Sequence, residues 1–108
     1  AREVESVLRS MPEITEAAVV AVPDDYYGEE VKAYVMLVPG LAREDVPPSK
    51  ILAHCSEHLA TFKRPRYIEY REAFPMTTES HRVQKKILLE EKSDPRSGTY
   101  DSRKQAWI

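Results

Sequence analysis

At 108 residues the chain has room for one domain with a small core, burying roughly 60 to 70% of its unfolded surface. A composition of 42% hydrophobic and 31% charged residues is globular, and a net charge of −2 gives no electrostatic footprint for nucleic acid or an anionic membrane. Cys55 is the single cysteine, which excludes an internal disulfide. No apolar run approaches the roughly 18 residues of a transmembrane segment and no signal-peptide pattern is present, so a reducing, cytoplasmic setting is expected.

The first predicted element is a helix, because Val4, Val7, Leu8 and Met11 recur at i, i+3, i+4 and i+7. It begins with no Ser, Thr, Asp or Asn cap before it, and this abrupt start predicts that the chain is part of a longer polypeptide. Met11-Pro12 ends the helix. The β-branched run from Ile14 to Val22 predicts a strand that stops at Pro23-Asp24-Asp25. A second strand follows, with Val31, Ala33, Val35 and Leu37 toward the core, Lys32, Tyr34 and Met36 on a more open face, and Pro39-Gly40 as its end. The two read as a hairpin joined by PDDYYGEE, with Gly28 as the natural site for a positive φ.

Pro47-Pro48 leads to Ser49, the expected N-cap of a helix with Ile51, Leu52, Cys55 and Leu59 on one face. Cys55 therefore reads as core rather than as a nucleophile. Thr61 to Pro65 break that helix, and Arg66 to Arg71 predict a third strand in which Tyr67 and Tyr70 cannot both share a face with Ile68. A last helix is expected over Val83, Ile87 and Leu88. The predicted fold is α+β: a small three-stranded mixed sheet, hairpin plus third strand, with packing helices. Residues 1–92 form this domain, and 93–108, rich in Pro, Gly, Ser and charge, read as an extended or loosely docked tail that Trp107 either anchors or leaves disordered.

Residues 74–88, FPMTTESHRVQKKIL, place Arg82, Lys85 and Lys86 just ahead of and at the start of an apolar-periodic helix, where the helix dipole favours anions and gives cations nothing. Together with EVESVLRSMPEITEAAVVAVPDDYYGEEVKAYVMLVPG at 3–40 and HCSEHLATFKRPRYIEYREAFP at 54–75, the stretch resembles the C-terminal domain of the adenylate-forming superfamily, of the acyl-CoA synthetase type. In that family the loop typically reads Pro-x-Thr-x-Ser/Thr-Gly-Lys-Val. The resemblance implies the mobile C-terminal lid of an AMP-forming acid–thiol ligase. Such an enzyme activates a carboxylic acid with ATP and Mg2+ as an acyl-adenylate, then transfers the acyl group to coenzyme A. It also implies an N-terminal adenylation domain as partner, without which the 108 residues are expected to be inactive.

The resemblance implies a catalytic role for one residue here. Aligning on Val83-Gln84-Lys85-Lys86 puts Arg82 at the family's lysine and His81 at the preceding glycine, with one residue more than usual between Pro75 and Val83. Arg offers a planar fork where Lys offers a compact point charge. Arg82 can neutralise a phosphate with altered geometry, orient substrate only, or mark a weakened adenylation step, and the sequence does not choose. Lys63 and Arg64 resemble the family's Tyr-Lys-x-Pro junction and are candidates for the large domain or the nucleotide part of the thiol donor. His81 has no carboxylate spaced to orient it as a base. His54 and His58 stand at i, i+4 around Glu57, but the pattern is not that of a metalloprotease and no third ligand is apparent. No metal site is expected, and both histidines should face solvent. The alternative is a non-catalytic regulatory or protein-binding module on the same scaffold; a nucleic-acid binder is disfavoured by the acidic balance.

Overall fold

In the computed structural model, which describes residues 2–24, 28–60, 63–72, 74, 85–91, 96 and 98–108, the first apolar stripe folds into helix α1, Arg2–Arg9, with Val4 and Leu8 buried one turn apart. Strands β1 (Ile14–Asp24) and β2 (Gly28–Leu37) form the expected antiparallel hairpin. Gly28 has φ +84°, the left-handed value a glycine tolerates. Gly40, at φ +93°, follows Pro39 in a turn that Leu41 N closes on Val38 O at 3.1 Å, the Pro-Gly pairing of a type II turn.

Helix α2 spans Pro48–His58, two residues earlier than Ser49 as N-cap would give. Its N-cap is Pro47, in an extended conformation and with no side-chain cap. Pro48 suits the first turn because its φ is preset and its missing N–H would have lacked a helical partner. Helix α2 lies in the crossover between β2 and strand β3, Tyr67–Tyr70, which runs parallel to β2. Helix α3, Lys85–Glu90, follows, and strands β4 (Tyr100–Asp101) and β5 (Ala106–Trp107) complete the sheet in the order β1-β2-β3-β4-β5.

The mixed sheet thus has five strands, not three. The two extra strands pair only two residues each, too short to show alternation, and they form because the segment docks on β3. Arg66 holds Asp101 with two guanidinium contacts of 3.3 Å, and Asp101 Oδ1 also accepts the backbone N–H of Arg103 at 2.9 Å to tighten the turn into β5. Trp107 stands edge-on to Tyr100 with ring centres 5.6 Å apart, while the Arg43 guanidinium lies 4.7 Å from its ring.

Both faces of the sheet are covered. On one, α1 and α2 close over Val19, Ala33, Val35 and Ile68 with Leu8, Ile51 and Cys55. On the other, Ala18, Val20, Val22, Tyr34 and Tyr67 pack with Leu88 of α3. The expected open face of β2 is therefore enclosed at Lys32 and Tyr34, each 1% exposed, where Leu88 of α3 packs with Tyr34 and the Glu69 side chain of β3 pairs with Lys32. Within α3, Leu88 turns inward but Ile87 is 41% exposed, and Val83 lies outside the described residues. At the open edge of the sheet, buried Glu5 of α1 accepts the outward N–H of Val19 at 2.8 Å, which blunts an edge strand that would otherwise offer unpaired backbone groups.

Candidate functional site

Parallel strands β2 and β3 finish side by side, and in open sheets the crevice beyond the carboxyl ends of parallel strands is where ligands gather. A cleft of about 610 Å³ lies there, bordered by Met36, the Pro39-Gly40 turn, Arg43, Tyr70, Arg71 and Glu72. From its rim the chain enters the 75–84 segment. Arg82 and His81 belong to that segment and lie outside the described residues.

What the structure does define is how the segment is flanked. Phe74 before it and Leu88 and Leu89 after it pack on the same buried cluster. Charge reinforces this: Lys32 Nζ lies 3.0 Å from Glu69 Oε1, Arg71 Nη1 lies 3.7 Å from Glu69 Oε2, and the Arg71 guanidinium grips both carboxylate oxygens of Glu91, Nη2 to Oε2 at 2.9 Å. The row of alternating charge runs from β2 through β3 to the residue after α3. Tyr34 is enclosed beside it, its hydroxyl 3.5 Å from Leu88 O, and burial, aided by the Glu69 charge, pushes its phenol up to about 12. The sequence reading missed this network, because Lys32 and Glu69 meet only in the parallel register that sets Lys32 opposite Tyr67 and Tyr34 opposite Glu69. A lysine set between Val31 and Ala33 of a strand was its one local signal.

Lys63 and Arg64 are separated by their partners. Lys63 reaches back to Glu3 of α1 and borders a cleft of about 360 Å³ whose lining holds one ammonium and three carboxylates, Glu3, Glu29 and Glu30, the last paired with Arg103 at 2.7 Å. That balance is poorly suited to a phosphate. Arg64 donates to Leu59 O at 3.1 Å and Ser56 O at 3.2 Å, closing the carbonyl end of α2. Cys55 is fully enclosed, and burial pushes its thiol up to about 11, so it is a protonated core side chain at neutral pH. His58 is exposed as expected. His54 is not: half-buried, it contacts Ser10 Oγ at 2.7 Å and Val7 O at 3.1 Å, joining α2 to α1.

Residues 3–81 match the family described as AMP-binding enzyme C-terminal domain. The chain belongs to that family. Among relatives of this AMP-binding C-terminal domain, a probable CoA ligase of Humulus lupulus is 43% identical over 88 residues, which cover 82% of the chain and 15% of that ligase. A crotonobetaine/carnitine–CoA ligase of Proteus mirabilis is 37% identical over 86 residues, 80% of the chain and 16% of that ligase. Among solved structures, Mycobacterium tuberculosis fatty acyl CoA synthetase superposes with a TM-score of 0.74 at 31% identity, covering 84% of the chain and 17% of that protein. The domain therefore spans about one sixth of the length of the proteins it matches. Among the described residues, no helix is long and apolar enough to cross a membrane.

Proposed function

We propose that this domain is the mobile C-terminal lid of an ATP-dependent, AMP-forming acyl-CoA synthetase. Its partner is an N-terminal adenylation domain, its substrates a carboxylic acid, ATP and coenzyme A, and its setting the cytoplasm. The observation that carries the reading is that family membership comes with relatives that are themselves CoA ligases. In the adenylation step, negative charge builds on the α-phosphate as the carboxylate approaches, and a preorganised cation from the 75–84 segment lowers that barrier by electrostatic stabilisation and orientation. Arg82 is the residue assigned to this role.

The flanking structure supports it: Phe74, Leu88 and the Arg71–Glu91 pair fix where the segment starts and ends, which limits the entropy lost on presenting Arg82 to a nucleotide. Mg2+ would accompany the ATP phosphates. Among the described residues, the one cluster able to ligate a metal is nitrogen-rich, unlike the all-oxygen shell Mg2+ prefers, so no step on this domain is routed through Mg2+.

The test uses the longer polypeptide that contains this chain, following pyrophosphate release with ATP and a panel of carboxylic acids. Arg82→Ala should lower the adenylation rate by roughly 10² to 10³, and Arg82→Lys should restore or raise it. Indistinguishable rates for wild type and both variants would remove Arg82 from the mechanism. The 108 residues alone should show no ATP–pyrophosphate exchange.

A further inference from the structure

We propose that His54, Glu57 and His58 on the last turns of α2 form a surface site for a divalent transition-metal ion of the zinc class. One nitrogen from each histidine and one carboxylate oxygen of Glu57 lie within 4.8 Å of one another, and the imidazole centres are 4.7 Å apart. Metal–ligand bonds of about 2.0–2.2 Å place ligand atoms up to about 4 Å apart. Adjustments on the order of an ångström by the exposed Glu57 and His58 side chains therefore close the set. Glu57 supplies the third ligand, one turn from His54 at i+3 on the same helix.

Proton counting on His54 favours ligation. Ser10 Oγ donates its one hydrogen to Val7 O at 2.6 Å, so it has none left for the imidazole. His54 Nε2, 2.7 Å from Ser10 Oγ and 3.1 Å from Val7 O, is therefore the donor, and in the neutral ring the lone pair belongs to Nδ1. Metal-ligating histidines are held in this way, one ring N–H donating to a backbone carbonyl or a neighbouring oxygen while the other nitrogen faces the ion.

Donor chemistry sets the metal. Two imidazoles and a carboxylate match Zn2+, Co2+ or Ni2+ and leave a coordination position for water, whereas Mg2+ and Ca2+ require oxygen shells. Binding at His54 also holds its Nε2 hydrogen on Ser10 and Val7 and so tightens the contact of α2 with α1.

The experiment is calorimetric titration of the 108-residue chain with Zn2+ and separately with Mg2+, alongside thermal melting with and without Zn2+. One Zn2+ per chain, a raised Tm and no Mg2+ uptake are expected. His58→Ala, at an exposed position that does not disturb folding, should weaken Zn2+ binding by about tenfold or more. Ser10→Ala, which touches no metal, should weaken it by about tenfold through the orientation of His54. Absence of saturable Zn2+ uptake, or uptake indifferent to His58→Ala, overturns the proposal. Neither result depends on whether the domain belongs to a ligase.

Discussion

On the face covered by α1 and α2 the enclosed side chains are mainly aliphatic, with Leu8, Val35, Ile51 and Ile68 at their centre, whereas the face beneath α3 encloses Lys32 and Glu69 among Tyr34, Tyr67 and Leu88. The difference matters because the two kinds of burial fail differently. Aliphatic contacts are graded, each methylene adding a small increment, while an enclosed ion pair is costly to desolvate and depends on both members. The aliphatic face holds the hairpin to its helices. The charged face holds the two flanks of the segment that carries Arg82.

The largest expected effect breaks the charged face. Glu69→Leu removes the carboxylate 3.0 Å from an ammonium that is 1% exposed, and should cost about 3–5 kcal/mol in urea unfolding. Lys32→Met should cost less, since Glu69 keeps Arg71 at 3.7 Å. The double variant should recover most of the loss, because two apolar side chains need no charge partner. If the double variant is as unstable as Glu69→Leu, the pair is not the unit that matters.

At the far edge, Asp101→Asn extends the comparison to the docked β4 and β5. Burial alone would raise the Asp101 carboxyl, but the Arg66 guanidinium and the backbone N–H groups of Lys104 and Arg103 outweigh it and hold it below the usual carboxylate range. A depressed folded value means that stabilisation is present at neutral pH and lost as pH falls below the ordinary carboxylate range toward that lowered value. The variant should therefore cost about 1.5–3 kcal/mol near neutrality, with the gap to wild type narrowing in acid. A gap that is constant with pH would show that the carboxylate's charge is not what anchors the strands.

The smallest effect probes the aliphatic face. Ile51→Val should cost about 0.5–1.5 kcal/mol, with no dependence on pH. A larger, pH-sensitive loss would mean that this face is coupled to the charged one and that the contrast between them is false.

Sequence periodicity alone was enough for α1, the hairpin, α2 and the parallel strand that follows, because Val4–Leu8, Ile14–Val22 and Ile51–Cys55 each carry the period of their element within one short window. The positive φ at Gly28 was legible for the same reason, since only local backbone geometry decides it. The start of α2 was misplaced by two residues because Ser49 is a good cap in isolation while Pro48 is a better first helical residue. Ile87 and Leu88 are adjacent on a short helix, and which of them turns inward depends on where that helix lands.

The family, and with it the α+β class, followed from three strings in their order and spacing. Only the tertiary structure decided that Lys32 is enclosed, that Arg66 and Asp101 recruit two more strands, and that His54 is tied to Ser10 while Glu57 and His58 stay exposed. The physical reason is range. Periodicity and turn chemistry act over a few residues, but the pairing of Lys32 with Glu69 or Arg66 with Asp101 joins positions more than thirty residues apart, which no local pattern encodes.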